Sequence, residues 1–220
     1  MENVGETTVK QHTLLTVHTK GHIEVGLDEA GRGSLIGPVF AAAVAWDPEL
    51  TADKDPIVAK IKDSKKLSKK QRASLRDYIE KNAKGFAVSY SGPEEIDRVN
   101  KLQATFNAMH RCLDSLKCDF DTIIVDGPIF RPYIHKERGF MPHNSVIDGD
   151  NKYTSIAAAS ILAKVYHDEY IMEMIKNNPE LDQYDLAKNM GYGTKKHLDA
   201  LKRLGPTQWH RKSFKVCSGV

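Results

Sequence analysis

The sequence predicts an α/β fold in which a mixed β-sheet is covered by helices on its faces. Apolar runs of strand length recur along the chain, and segments with apolar residues three and four positions apart lie between them. The predicted order is strand, strand, helix, strand, helix, strand, short strand and then helices. A length of 220 residues with 40% hydrophobic residues suits one sizeable soluble domain.

Two strands joined by a glycine-rich loop open the predicted core. Apolar and polar or small residues alternate over residues 23–28, and residues 39–46 form an almost unbroken apolar run. Glycines at positions 31, 33 and 37 mark a tight loop between these strands. Upstream, residues 12–19 alternate weakly, which indicates an edge strand or a hairpin arm.

A helix and a short strand come next. Ser68 and Gln71 fit a capping box, which predicts that a helix begins at Ser68. Leu75 and Ile79 lie four residues apart and mark the buried face of this helix. The short strand is predicted over residues 86–90.

The clearest amphipathic helix is predicted from Pro93 to Leu116, with apolar residues at spacings of three and four. Proline suits the first helical position, and the acidic residues that follow it suit the positive end of the helix dipole. Residues 120–125 form a buried strand that stops at Asp126.

The last third of the chain is predicted to be mostly helical. A short strand at residues 145–147 precedes a helix over residues 154–175, whose face of small residues lets it lie close to a sheet. The last helix is predicted to begin at Thr194 and to end before Gly205.

Charge and composition exclude several classes of protein. A net charge of +3 over 220 residues excludes a histone-like polybasic binder, although a local basic face remains compatible. The absence of an apolar run of about 18 residues argues against a membrane span, and the first 20 residues lack the pattern of a secretory signal. Three cysteines without close pairing predict the cytoplasm or another reducing intracellular compartment.

Acidic residues follow the predicted strands at the points where the strands end. Asp28, Asp126 and Asp150 occupy such positions, with Glu29 directly after Asp28. If the strands at 23–28 and 120–125 are parallel neighbours, their carboxyl ends share one edge, where α/β sheets bind ligands. Clustered carboxylates cannot all stay ionised without a cation. Two Mg²⁺ or Mn²⁺ ions about 4 Å apart hydrolyse phosphodiesters in such sites.

Spacing alone leaves an alternative and a stereochemical difficulty. Strand-ending aspartates are common turn formers, so each could be structural. Neighbouring residues of a regular strand point to opposite faces of the sheet. Asp28 and Glu29 therefore reach one site only if the strand ends or bends there, which the following glycines permit.

The chain resembles the type 2 ribonucleases H, the ribonuclease HII family. The resemblance begins with GLDEAGRGSLIGP at residues 26–38 and covers roughly residues 22–214. It continues in order through DSKKL (63–67), VDG (125–127), GD (149–150), IAAASILAKV (156–165), GYGT (191–194) and GPTQWHRKSF (205–214). Ordered blocks are far more specific than any single motif.

This resemblance implies a ribonuclease H-like mixed sheet flanked by helices, with a helical C-terminal extension. It implies an N-terminal arm at residues 1–21, a catalytic domain at 22–178 and an extension at 179–220 that completes the substrate groove. The implied activity is cleavage of the RNA strand of RNA–DNA hybrids, and incision 5′ of a ribonucleotide within duplex DNA. That activity belongs to ribonucleotide excision and DNA replication.

The family's catalytic and metal-binding carboxylates map onto Asp28, Glu29, Asp126 and Asp150. Asp148 competes for the fourth place, but the family's Gly-Asp pair aligns with residues 149–150. The implied cofactor is a pair of divalent ions, Mg²⁺ or Mn²⁺, with water as the nucleophile.

Gly31, Arg32 and Gly33 resemble the family's junction-recognising loop, which the related type 3 enzymes lack. Glycines let backbone groups approach a ribose, whose 2′-hydroxyl separates RNA from DNA, and an arginine can donate to phosphate. Tyr192 matches the tyrosine that stacks beside the ribonucleotide. Taken alone, the tripeptide would be a plain turn and Tyr192 a half-buried loop residue.

Further positions are implied to bind or support the substrate. Ser64 and Lys65 lie in the densest basic run, which by charge alone is more often a solvated helix start than a phosphate-binding surface. Thr194 at a helix start can offer a hydroxyl and amides to phosphate. Lys164 and Asp168, four residues apart on a helix, are expected to pair and to support the site without binding metal.

Two other functions compete with this hypothesis: a catalytically silent hybrid-binding module, and another nuclease of the same fold such as a resolvase or integrase. Intact acidic residues argue against the first, and the GRG and GYGT blocks argue against the second. The expected partner is an RNA–DNA hybrid or a DNA duplex containing ribonucleotides. We expect a monomer with no membrane association, and residues 215–220 lack a sliding-clamp-binding pattern.

Overall fold

A computed structural model describes residues 13–219 and contains a mixed sheet with helices on both faces. The strands are β1 (Glu24–Ala30), β2 (Val39–Ala45), β3 (Gly85–Ser91), β4 (Thr122–Asp126), β5 (Ile134–His135), β6 (Gly139–Phe140) and β7 (His143–Val146). The helices are α1 (Lys69–Asn82), α2 (Pro93–Val99), α3 (Lys101–Ser115), α4 (Thr154–Asn177), α5 (Leu186–Asn189), α6 (Lys195–Leu204) and α7 (Lys215–Ser218).

The main sheet has the order β3-β2-β1-β4-β7, and β5 pairs with β6 in a separate hairpin. β2 runs antiparallel to both β1 and β3, whereas β4 is parallel to β1 and β7 is parallel to β4. The carboxyl ends of β1, β4 and β7 therefore meet at one edge. The predicted α/β class with a mixed sheet is confirmed.

The predicted start of α1 is confirmed by its capping box. The Ser68 hydroxyl accepts a hydrogen bond from the Gln71 backbone N–H at 3.3 Å. In return, the Gln71 side chain accepts one from the Ser68 N–H at 2.9 Å. Two amide groups that lack partners within the helix are thereby satisfied.

The single helix predicted from Pro93 to Leu116 is wrong, because the chain breaks into α2 and α3 at Asn100. Asn100 has a positive φ of 68°, which asparagine tolerates better than most residues. Its side chain accepts hydrogen bonds from the N–H groups of Leu102 and Gln103 and begins a new helix. Apolar periodicity continues across the break, so it conceals the break.

Two smaller expectations were also wrong. Helix α6 is not the last helix, because the short α7 follows it. The weak alternation at residues 12–19 does not produce a strand among its described residues: Leu15 forms only an isolated bridge to Tyr153, and His12 lies outside the described range. No helix within residues 13–219 is long and apolar enough to cross a membrane.

The two faces of the sheet are covered by different helices. Val25 and Leu27 of β1 point into a core with α3, whereas Ala42 and Val44 of β2 face α4. A Cβ atom on Gly26 would lie 2.3 Å from the backbone of Ser155. Glycine in β1 therefore lets α4 pack directly against the sheet and brings its side chains toward the edge that carries the acidic residues.

Candidate active site

The register of the parallel strands brings Asp28 and Asp126 to the same level of the sheet. Leu27 of β1 pairs with Val125 of β4, so the next residue on each strand is an aspartate. β7 continues the sheet beyond β4 and leads to a 3-10 turn that carries Asp150. The expectation that the first and fourth strands are parallel neighbours is confirmed.

Asp28 and Glu29 share this edge for a reason the sequence did not reveal. We expected β1 to end or bend at this pair, but β1 stays paired with β2 through Ala30. Pairing of β1 with β4 stops instead at Leu27. Asp28 and Glu29 thus lie beyond the last residue pair that joins β1 to β4, and both are within the electrostatic reach of Asp126.

Like charges and burial make this cluster electrostatically unfavourable. Burial, and then the charges of Glu29 and Asp126, raise the pKa of Asp28 well above its usual value. Burial raises the pKa of Glu29 even though Arg32 pairs with it at 2.9 Å. Such shifts are typical of carboxylates that lack enough positive charge.

Asp150 shows the same behaviour and has a neighbour that sequence analysis missed. Burial, the charges of Asp63 and Asp126, and a hydrogen bond with Asp63 raise the pKa of Asp150 to about 6. Asp63 is buried and accepts a hydrogen bond from the Lys65 backbone N–H at 2.9 Å. Its position at the start of the DSKKL block was the available signal.

The structure separates Asp150 from its competitor Asp148. Asp148 is exposed and takes a left-handed conformation with φ 54°. Asp150 is buried, and Lys65 Nζ lies 4.0 Å from its Oδ2. Between them, the Gly149 N–H donates to Asp126 Oδ1 at 2.7 Å and fixes the turn beside that carboxylate. Asp150 is therefore the side chain that faces the other acids.

The donor set fits hard divalent cations. Asp28, Glu29, Asp126 and Asp150, which we call the carboxylate site, offer only oxygen ligands. Within residues 13–219, no three acidic, histidine or cysteine side chains already converge as a metal cage. The raised pKa values show that burial and like charge disfavour the ionised acids. A bound cation would offset this, since positive charge favours the ionised form of each acid.

Gly31, Arg32 and Gly33, the glycine loop, follow β1 directly. Gly31 has φ 79°, and a Cβ atom there would lie 2.4 Å from the His167 ring, so only glycine fits. The Gly31 N–H donates to the hydroxyl of Tyr192 at 3.2 Å. Arg32 and Gly33 are exposed, which leaves the Gly33 backbone and the Arg32 side chain accessible to a ligand.

Tyr192 lies against the glycine loop although 161 residues separate it from Gly31. Its ring is partly exposed, and Lys164 Nζ lies 5.5 Å from the ring centre. The tyrosine loop (residues 191–194) thus brings an aromatic face, a cation and the glycine backbone together. Thr194 ends this loop, where its exposed hydroxyl accepts from the His197 N–H and caps α6.

Lys164 and Asp168 pair as expected, with Nζ and Oδ1 2.7 Å apart. Asp168 also contacts His167 at 3.1 Å and Arg72 at 3.6 Å. Burial alone would raise the pKa of Asp168, but hydrogen bonds from His167 and Lys164 outweigh it and lower the pKa. This aspartate stays ionised and holds Lys164 under Tyr192.

Ser64 and Lys65 are neighbours in sequence but differ in exposure. Ser64 is buried, and its hydroxyl accepts from Ser160 at 3.0 Å. Ser160 also lies beside Asp28 and lowers the pKa of that acid. The Lys65 side chain is 81% exposed and can reach a ligand. The structure therefore places Ser64 behind the carboxylate site and Lys65 in front of it.

A mixed sheet with four acids at its carboxyl edge, beside an exposed glycine loop and a tyrosine, defines a phosphodiester hydrolase of the ribonuclease H-like class. The family model that describes ribonuclease HII matches residues 25–217. A ribonuclease HII of Parabacteroides distasonis is 46% identical over 201 residues, which cover 91% of this chain and 94% of that protein. A ribonuclease HII of Bacteroides fragilis is 47% identical over 88% of this chain and 90% of that protein.

A solved structure supports the fold. The crystal structure of ribonuclease H2 from Pyrococcus horikoshii superposes with a TM-score of 0.70 at 24% identity, covering 89% of this chain and 95% of that one. The chain belongs to the ribonuclease HII family. It is accordingly an endoribonuclease, a hydrolase of phosphodiester bonds in the RNA strand of RNA–DNA hybrids.

Proposed function

We propose that this enzyme also incises duplex DNA on the 5′ side of a single embedded ribonucleotide, leaving 3′-hydroxyl and 5′-phosphate ends. The observation that carries the proposal is the contact between Gly31 and Tyr192. Gly31 lies only two residues after Glu29 of the carboxylate site. A ribose recognised by the glycine loop would place its 5′ phosphodiester next to the carboxylate site. Recognition and cleavage would then involve adjacent atoms of one nucleotide.

The residues proposed to hold the cofactor are Asp28, Glu29, Asp126 and Asp150, with two Mg²⁺ or Mn²⁺ ions. When bound, the ions supply an activated water and stabilise the departing 3′ oxygen. Asp63 lies beside Asp150 and contributes to the raised pKa of that acid. The Gly149 N–H donates to Asp126, so this acid is already held in place by a neighbour.

Substrate positioning is proposed for the residues around the glycine loop. Backbone groups of Gly31 and Gly33 approach the 2′-hydroxyl, which only a ribonucleotide carries. Arg32 turns from Glu29 to a phosphate, because its guanidinium is half exposed and can donate a fork of hydrogen bonds. Tyr192 stacks on the adjoining nucleotide. Lys65 and the amides at Thr194 contact phosphates further along the duplex.

We propose residues 22–178 as the catalytic domain and residues 179–220 as the extension that completes the groove, with residues 1–21 as an arm. We also propose that the enzyme acts as a monomer. A silent binding module gains nothing from clustered negative charge beside phosphate, so the carboxylate site favours an enzyme over that alternative.

The test is cleavage of a DNA duplex that contains one ribonucleotide, assayed with Mg²⁺ or Mn²⁺ and with chelator. We expect a metal-dependent nick 5′ of the ribonucleotide that Asp126→Asn nearly abolishes. Asp148→Asn is the matched control, since Asp148 is exposed near the same turn, and it should leave cleavage unchanged. Cleavage by the Asp126 variant at the wild-type rate would refute its assignment, and an inactive wild type would support the silent module.

A further inference from the structure

The segment that follows the glycine loop lies between two segments of the C-terminal extension. On one side, the Leu35 N–H donates to the Gly191 carbonyl at 2.8 Å. On the other, the Arg211 N–H donates to the Leu35 carbonyl at 2.9 Å, and Gly37 N–H donates to Trp209 at 3.0 Å. Three stretches that are distant in sequence are thus joined by backbone hydrogen bonds beside the glycine loop.

His197 and His210, the histidine pair, lie buried beneath this junction. Their Nε2 atoms are 3.1 Å apart. His197 Nδ1 lies 3.1 Å from the Tyr192 carbonyl oxygen, which can only accept, so Nδ1 carries the hydrogen. His210 Nδ1 accepts from the Thr207 N–H at 2.9 Å, so its hydrogen is on Nε2 and points to His197. These tautomers account for the contacts of the two imidazoles with the backbone and with each other.

Arg211 connects the same region to the glycine loop from below. Its guanidinium is fully buried and donates to the carbonyls of Gly31 at 2.8 Å, Arg32 at 3.1 Å and Gly37 at 2.9 Å. Within residues 13–219, no carboxylate forms an ion pair with it. Its hydrogen bonds to three carbonyl groups account for its burial, and the charge of Asp97 acts on it from beyond ion-pair distance.

These contacts close into a ring. The Gly31 N–H bonds to the Tyr192 hydroxyl, the Tyr192 carbonyl bonds to His197, and His197 bonds to His210. The peptide bond leads from His210 to Arg211, whose guanidinium returns to the Gly31 carbonyl. The ring holds the glycine loop against Tyr192, and its links include both the N–H and the carbonyl of Gly31.

We propose that His197, His210 and Arg211 are positioning residues that set the distance between the glycine loop and Tyr192, and so determine discrimination for a single ribonucleotide. This inference rests on the proposed function, because it concerns how the same site selects its substrate. The three residues touch neither substrate nor metal; they act through the loops that they hold. Preorganised loops bind without the cost of ordering, so loosening them weakens binding more than chemistry.

We expect substitutions of these residues to affect the single-ribonucleotide duplex more than the hybrid, and to change KM more than kcat. A single ribonucleotide offers one register on the enzyme, whereas an RNA–DNA hybrid offers a ribose at every position. Loosening the ring should therefore raise KM for the single-ribonucleotide duplex by about 10-fold, with kcat changed by less than about 3-fold. The KM for a hybrid should rise by no more than about 3-fold under the same loosening.

The experiment compares His197→Phe with His197→Asn on both substrates with Mg²⁺. Phenylalanine removes the donor to the Tyr192 carbonyl, whereas the asparagine amide can restore it and should recover much of the loss. Tyr184→Phe is the matched control, because Tyr184 packs on both histidines but makes none of the hydrogen bonds that join Tyr192 to the glycine loop. It should leave the preference between substrates unchanged.

Thermal melting shows whether each variant is folded. If His197→Phe is unfolded, Arg211→Lys gives a second measurement, because lysine keeps the charge but loses the forked N–H donors of the guanidinium. Equal losses on both substrates in a folded His197 or Arg211 variant, or no loss, would overturn the inference. Failure of wild-type protein to nick at the ribonucleotide would instead count against the proposed function itself.

Discussion

The carboxylate site and the ring of contacts around the glycine loop lie next to each other but differ in physical character. In the carboxylate site, burial and like charge raise the pKa of Asp28, Glu29 and Asp150. In the ring, each buried polar atom named above has a hydrogen-bond partner, including the three carbonyl acceptors of Arg211. One region needs a cation to become favourable, and the other is complete within the protein.

This difference separates the two tasks of the enzyme. Selection of a ribose requires fixed geometry, which a satisfied hydrogen-bond network provides. Hydrolysis requires positive charge beside phosphate, which a cluster of acids can only acquire from bound cations. The comparison predicts that substitutions in the carboxylate site abolish chemistry, whereas substitutions around the ring shift substrate preference.

The largest effect should follow from Asp28→Asn. Removing one charge from the carboxylate site would weaken the hold on the divalent ions proposed to bind there, while leaving the fold in place, because asparagine has the same shape. We expect cleavage of any substrate to fall on the order of 1000-fold. Single-turnover rates at saturating enzyme measure this, and a fall of less than about 10-fold would contradict a metal role for Asp28.

A smaller effect is expected at Tyr192. Tyr192→Ala removes both the stacking face and the hydroxyl that accepts from Gly31. Loss of stacking should lower kcat/KM for the single-ribonucleotide duplex by roughly 10- to 100-fold. Tyr192→Phe keeps the ring and loses only the hydroxyl, so its loss should be several-fold smaller. Equal losses in both variants would show that the hydroxyl, and not the ring, carries the effect.

The clustered negative charge of the carboxylate site should also lower the folding stability of the protein. Asp150 has a folded-state pKa of about 6, above the 3.8 of the unfolded chain, so its ionisation costs folding free energy at pH 7. In chelator, Asp150→Asn should raise the free energy of unfolding by about 1–2 kcal/mol and Tm by about 2–6 °C.

The gain from Asp150→Asn should shrink as pH falls from 6 toward 3.8, because wild-type Asp150 is then protonated in the folded state. Calorimetry across this pH range measures it. A gain that grows at lower pH, or a variant that is less stable at pH 7, would contradict the electrostatic account of the site.

The smallest effect is expected for the exposed cation Lys65. Lys65→Ala removes one phosphate contact, so the slope of log KM against log salt concentration should fall by about 1. Lys81→Ala, in the last turn of α1, is the control for a change of net charge. Equal slopes in both variants would assign the effect to net charge alone.

Local sequence signals predicted much of the architecture and the acidic positions. Strand periodicity and the capping box at Ser68 depend on neighbouring residues, and both were confirmed. The break at Asn100 was missed because a positive φ leaves the apolar spacing of the helix intact. Asp63 was overlooked because its burial beside Asp150 depends on tertiary packing that spacing does not show.

The ring of contacts was beyond sequence reasoning for a related reason. His210 and Arg211 lie in the GPTQWHRKSF block and His197 lies between the two C-terminal blocks, and no motif or spacing indicates a contact of theirs with the glycine loop. Their link to Gly31 spans 180 residues for Arg211 and depends on tautomers that three-dimensional contacts define. Patterns along a chain reveal periodicity and motifs, but they do not reveal which distant donor meets which acceptor.

The most direct test of the separation between selection and chemistry is ribonucleotide-specific binding by a protein that cannot cleave. Fluorescence anisotropy of the Asp126→Asn variant in chelator compares a duplex containing one ribonucleotide with the same duplex made entirely of DNA. We predict that the variant binds the ribonucleotide-containing duplex more tightly, and that adding Tyr192→Ala removes this preference. Equal affinity of the Asp126→Asn variant for both duplexes would contradict the account, because selection would then require the carboxylate site and its cations.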